Sequence, residues 1–193
     1  SNRDVMAWLV LESQRLWIEH GPCAELTTCM ARAGMVLVNL RQDYRAAYEV
    51  VRHVLHVAQT RGYRPHASET RHSFAITICH WFEPLEDVLN HTWRARDELL
   101  VYGDQSFACY TYRTSVLVVL DCAPCLDSFD SEIQGSLALS RRTGNVYNTL
   151  CALTDQQLLR CLRGQTDTPG SFTQPDFNPA AHQEKLTKLP IAL

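Results

Sequence analysis

A chain of 193 residues, 46% hydrophobic and 20% charged, is long enough to bury a sizeable core and has the composition of an ordinary soluble domain. Its net charge of -3 and its scattered arginines, nowhere denser than pairs such as Arg141-Arg142, exclude recruitment of nucleic acid or an anionic membrane by charge alone. The longest aliphatic run, Val116 to Leu120, is far short of the roughly 20 residues a spanning helix needs. No leader pattern opens the chain, so its eight cysteines read as reduced thiols of a cytoplasmic protein rather than a disulfide framework. The opening Ser1-Asn2 reads as a tag-cleavage scar on a piece of a longer protein.

In chain order, residues 3–21 read as the second helix of a truncated unit, with Met6, Val10 and Trp17 on its buried face and Gly21 closing it. Three repeats follow, 22–62, 63–103 and 104–144, ending on Gly62, Gly103 and Gly144, so that these four glycines recur every 41 residues. Gly suits a helix end because the position past the last turn often needs a left-handed backbone. A fixed period of this size is the signature of stacked helix hairpins.

Within the repeats, Ala33, Phe74 and Ser115 share a slot, as do Leu37, Ile78 and Val119, then Leu40, Trp81 and Cys122. After short turns near Arg41 to Asp43, Phe82 to Pro84 and Ala123 to Cys125, the second helices align Ala47, Val88 and Phe129, then Val51, Thr92 and Ile133. Val54, Ala95 and Ser136 follow, then Ala58, Leu99 and Ser140. Steps of three and four put these on one helical face. Thr92, Ser136 and Ser140 weaken that stripe, which predicts looser packing or partial exposure in the later copies.

Residues 145–193 form an irregular last unit: a helix from about Val146 to Arg163, a loop over 164–178 carrying Pro169, Gly170, Ser171 and Pro175, and a short helix from about Pro179 to Leu189. The expected whole is a single all-α domain of about seven to nine helices. Its fold is a tetratricopeptide-like alpha solenoid of antiparallel helix hairpins with a 41-residue period.

Chemical motifs are sparse. Neither GxxxxGK[ST] nor GxGxxG is present to cradle a nucleotide, and the HRD, DFG and HExxH patterns are missing, so the chain reads as non-enzymatic, without cofactor or metal. Cys122-Ala123-Pro124-Cys125 is the redox candidate, because a CxxC pair at a helix start can lower a thiol pKa. Against it, Cys122 occupies a slot read as core, and no second pair completes a zinc site. His53 and His56, three apart, could face a metal together, but without a matching carboxylate or Cys one reads as core-edge and the other as solvated. Cys79 and His80, being adjacent, point different ways. Trp8, Trp17, Trp81 and Trp93 read as core or inter-repeat packing residues, any one of which could anchor a peptide if exposed near a groove.

The stretch Gly103-Asp104-Gln105-Ser106-Phe107-Ala108-Cys109-Tyr110, then Gln157, Leu162-Arg163-Gly164-Gln165-Thr166, Ser171-Phe172, Phe177 and Ala180-Ala181, resembles the helical repeat region of very large bacterial signalling ATPases. Arg15-Leu16-Trp17 with Gly21, and Asp43-Tyr44 with Ala47-Tyr48, share the resemblance. It implies a neighbourhood of Ser/Thr-kinase-like, AAA-type STAND ATPase, sensor and histidine-kinase domains, as in two-component signalling. It also implies a non-catalytic module that relays a sensed state between ATPase and output. The expected partners are the neighbouring domains and a protein, peptide or small-molecule signal, without nucleic acid or membrane. A spacer or homodimerising scaffold is the alternative reading.

Overall fold

The computed structural model describes residues 2–189, with side chains described from Asp4 onward; Ser1 of the scar reading lies outside them. All regular structure among these residues is helical: α1 (Asn2–His20), α2 (Ala24–Ala31), α3 (Ala33–Arg41), α4 (Tyr44–Thr60), α5 (His66–Thr77), a 3-10 turn (Cys79–Trp81), α6 (Leu85–Val101), α7 (Gln105–Cys122), α8 (Leu126–Arg142), α9 (Val146–Leu162) and α10 (Pro179–Lys188). Ten α-helices exceed the expected seven to nine because the first helix of the 22–62 stretch breaks at Arg32 into α2 and α3. The chain divides into two compact units, residues 1–111 and 112–193.

Helix ends follow from local chemistry. Gly62, Gly103 and Gly144 have φ of +67°, +81° and +67°, and each closes a Schellman motif. After α4, for instance, Gly62 N donates to Gln59 O at 3.1 Å and Tyr63 N to Ala58 O at 3.0 Å. Gly21 (φ +82°) makes the single-bond form, donating to Trp17 O at 2.9 Å. At the starts, Asp43, Asp104, Asn145 and Asn178 each accept a backbone N–H three residues on.

In the first unit α3 packs on α4, α4 on α5, and α5 on α6, while α2 lies against α4 and α5. The amphipathic α4 buries Ala47, Tyr48, Val51, Val54, Leu55 and Ala58, each large apolar side chain being worth about 1.5–3 kcal/mol of burial. Gly34 on α3 makes the approach possible, since a Cβ there would stand 3.0 Å from Val51 Cγ2.

In the second unit α8 packs on α9 and α10 on α9. Arg163 reaches both Asp127 (2.6 Å) and Asp130 (2.8 Å), tying the end of α9 to α8. The irregular segment between α9 and α10 is held by Gln157, buried, whose Nε2 donates to Phe172 O at 2.8 Å, and by Arg160, which donates to Gln174 Oε1 at 2.8 Å. His182 Nε2 lies 3.0 Å from Leu150 O, where α10 meets α9.

Two sequence expectations about burial are corrected. Thr92, Ser136 and Ser140 are buried, which overturns the partial-exposure alternative, because a hydroxyl can be satisfied within its own helix: Thr92 Oγ1 donates to Val88 O at 2.7 Å and Ser140 Oγ to Leu137 O at 3.3 Å. The slot of Leu40, Trp81 and Cys122 is not core: Leu40 and Trp81 are exposed and Cys122 is half-buried. It falls at the end of each first helix, where the chain turns away from its partner.

Candidate functional site

A cleft of about 380 Å³ opens in the first unit, a size typical of small-molecule sites. Successive turns of α4 bring Tyr48, Arg52, His56 and Gln59 to it, with Leu55 beneath. From α5 come Arg71 and Phe74, one turn apart; from the turn before α6 comes Glu83; α6 adds His91 and Arg94. Three guanidiniums thus face one lining carboxylate.

Glu83 is clamped on one side of the cleft. Its Oε1 accepts from the Tyr48 hydroxyl at 2.6 Å and its Oε2 from the Cys79 thiol at 3.2 Å, while His91 Nε2 stands 3.7 Å away. Burial, reinforced by Glu83, pushes the Tyr48 hydroxyl and the Cys79 thiol upward in pKa. Burial first, and then Arg71, hold His91 below its ordinary pKa. The ligand atoms of Cys79, Glu83 and His91 lie within 4.8 Å of one another, close enough to consider a cation. The chemistry of the set is nevertheless self-satisfied: the thiol is kept protonated and donates to Glu83, and Arg71 and Arg94 lie close enough to act on His91.

On the other side Arg71 is almost fully buried, its side chain 5% exposed. With the Gln59 amide turned oxygen-inward, that oxygen accepts from Arg71 Nη1 at 3.2 Å and Nη2 at 2.7 Å. Glu98 is the nearest carboxylate, at 3.9 Å, and is already engaged by Arg94 at 3.1 Å and by the Ser68 hydroxyl at 2.6 Å. Arg52 lies over the Tyr48 ring, 5.7 Å from its centroid, and no carboxylate pairs with it among the described residues.

The residues singled out in the sequence fare differently. His56 lines the cleft but its neighbour His53 does not; both are exposed, so the core-edge expectation for one of them is corrected. Trp8 and Trp81 are exposed, and Trp17 and Trp93 half-buried, so none is core, although packing between repeats, the other half of that reading, fits Trp81. Trp81 packs edge-on against Tyr44 at 4.7 Å.

In the second unit Cys125 is the exposed N-cap of α8. The nearby backbone N–H of Ser128, the Ser128 hydroxyl 3.8 Å from the sulfur and the backbone N–H of Asp127 pull its thiol pKa down. Cys122, at the end of α7, is half-buried, and no disulfide joins cysteines among the described residues. The cleft itself escaped sequence reading because its charges come from three helices. The one local signal was Cys79 and Glu83, four apart, with His91 two turns further on.

No protein-family model, no curated protein and no solved structure matches this chain. No helix among the described residues is long and apolar enough to cross a membrane.

Proposed function

We propose that this chain is a non-catalytic interaction and coupling module of a cytoplasmic signalling ATPase, built as a tetratricopeptide-like alpha solenoid with a period of 41 residues. The repeat reading is supported by the four positive-φ glycines at that spacing and by slots that keep their burial from copy to copy, such as Ala47, Val88 and Phe129. Placement beside ATPase and kinase domains draws its support from the sequence resemblance alone.

The observation that carries the functional reading is the cationic cleft between α4, α5 and α6. It offers a place where a signal is received by a chain whose sequence carries none of the nucleotide-binding or kinase motifs named above. The signal acts by population shift, biasing two packings of the module on its neighbours by its differential affinity for them. The test is Arg52→Glu with Arg94→Glu in the full-length protein: ATPase or kinase output should lose its response to stimulus while basal turnover persists. Unchanged regulation would sink the coupling role. ATP hydrolysis by the 193-residue chain would sink the non-catalytic one.

The scaffold reading is favoured by a different observation. Val5, Trp8, Leu11 and Ile18 of α1 are all exposed, more apolar surface than a lone helix face usually leaves to water. Concentration-dependent self-association abolished by Trp8→Glu would support it.

A further inference from the structure

The helices do not account for the charge on Arg71. A guanidinium cannot shed its proton in a protein, and burying one is costly unless a carboxylate or phosphate neutralises it with hydrogen bonds. Here the nearest carboxylate stands off at 3.9 Å and serves Arg94 and Ser68 more closely. Gln59 supplies an oxygen but no charge, and the Arg71 Nε–H is buried with no acceptor. Arg94 and Arg52 line the same cavity, so positive charge gathers where the protein provides least to oppose it.

We propose that this cleft binds a small organic oxyanion, a carboxylate or phosphate monoester on a short apolar body, with its oxygens among Arg71, Arg94 and Arg52. Guanidinium forks match both head groups in a bidentate manner. Leu55, Phe74 and the Tyr48 ring supply the apolar wall, and the volume of about 380 Å³ suits a small molecule rather than a folded partner. Glu83 keeps its charge, but both its oxygens are already engaged as acceptors, by the Tyr48 hydroxyl and the Cys79 thiol. A divalent cation at Cys79, Glu83 and His91 would have to displace the thiol proton that Cys79 donates to Glu83, beside Arg71 and Arg94.

The inference rests on reading the cleft as the module's receiving site, yet it is tested separately, on the 193-residue chain and without any readout of regulation. Benzoate, phenyl phosphate and inorganic phosphate are titrated in low-chloride buffer, following the Arg71 Nε–H resonance and the heat of binding; Zn²⁺ alone forms a further arm. At least one of the two aryl anions should bind saturably, about tenfold or more tighter than inorganic phosphate, and shift the Nε–H signal. Whichever aryl anion binds tighter identifies the head group. Arg52→Gln and Arg94→Gln, both at exposed side chains, should each weaken binding several-fold, and Arg71→Lys about tenfold or more. No saturable binding up to about 10 mM, or affinities untouched by Arg52→Gln and Arg94→Gln, would overturn the proposal. So would stoichiometric Zn²⁺ uptake abolished by Cys79→Ser. Loss of regulation in cleft variants that bind none of these anions would leave the coupling role standing and remove only the ligand class.

Discussion

Tyr48 donates its hydroxyl to Glu83 Oε1 at 2.6 Å across 35 positions of sequence, fastening α4 to the turn that precedes α6. The same carboxylate receives the Cys79 thiol at 3.2 Å, so one side chain organises the floor of the cleft. A hydrogen bond to a charged, partly buried acceptor contributes about 1.5–3 kcal/mol. Tyr48→Phe should therefore cost about that much in urea unfolding at neutral pH, with an unchanged m-value. A loss below a few tenths of a kcal/mol would mean that Glu83 finds water or Arg52 instead.

Gly103 sits at φ +81° with open space where a Cβ would project. Any penalty on substitution is then backbone strain rather than collision, which separates two effects usually confounded. Gly103→Val should destabilise by on the order of 1 kcal/mol or more, because a β-branched residue strongly resists left-handed φ. Thermal melting that does not move would refute the helix-end role. The same substitution at Gly34 would instead collide with Val51, 3.0 Å from the ideal Cβ position.

How far the fold could be read from sequence depended on whether the signal was local. The helix stops were legible because a Schellman motif is closed by residues within one turn, and Gly62, Gly103 and Gly144 carry it by themselves. The buried stripe was legible wherever it was apolar. At Thr92 and Ser140 polarity misled, because a hydroxyl that bonds its own helix costs little to bury. The slot of Leu40, Trp81 and Cys122 misled in the opposite sense: side chains that look like core stand at helix ends, where they are at most half-covered. The cleft was illegible because Arg52, Arg71 and Arg94 are separated by about twenty residues each and converge only when α4, α5 and α6 pack. Adjacency drew attention to Cys79 and His80, whereas the contact that matters skips a turn to Glu83.

Cysteine reactivity should divide along the structure. Cys125 is exposed and its thiol is pulled down in pKa by donors from Ser128 and Asp127, whereas the buried Cys79 thiol is pushed up. Brief treatment with iodoacetamide at neutral pH, read by peptide mass spectrometry, should label Cys125 well ahead of Cys79, and Ser128→Ala should slow the Cys125 reaction. Equal labelling would remove the basis for Cys125 as the reactive member of the Cys122–Cys125 pair. A rapid, reversible bond between these two under mild oxidant would revive their redox role.

Stability should fall on mild acidification, and His72 is the main cause. It is buried on α5 with its ring edge-on to Phe107 at 5.7 Å, and burial lowers its pKa to about 4 from an ordinary 6.5. The unfolded chain therefore binds the proton first. Above pH 6.5 neither state carries it and the group is neutral to stability; between about 6.5 and 4 the unfolded state gains protons and folding weakens as pH drops. The full loss is on the order of 3 kcal/mol. His91 and His80, held down chiefly by burial, act in the same direction. Urea midpoints should thus decline from about pH 6.5 to 4.5, and His72→Leu should flatten that slope without abolishing it. A variant as acid-sensitive as the parent would assign the loss to other groups, His80, His91 and the depressed carboxylates of Glu98 and Asp130 among them, and a parent that gains stability over this range would show that His72 does not stay neutral in the fold.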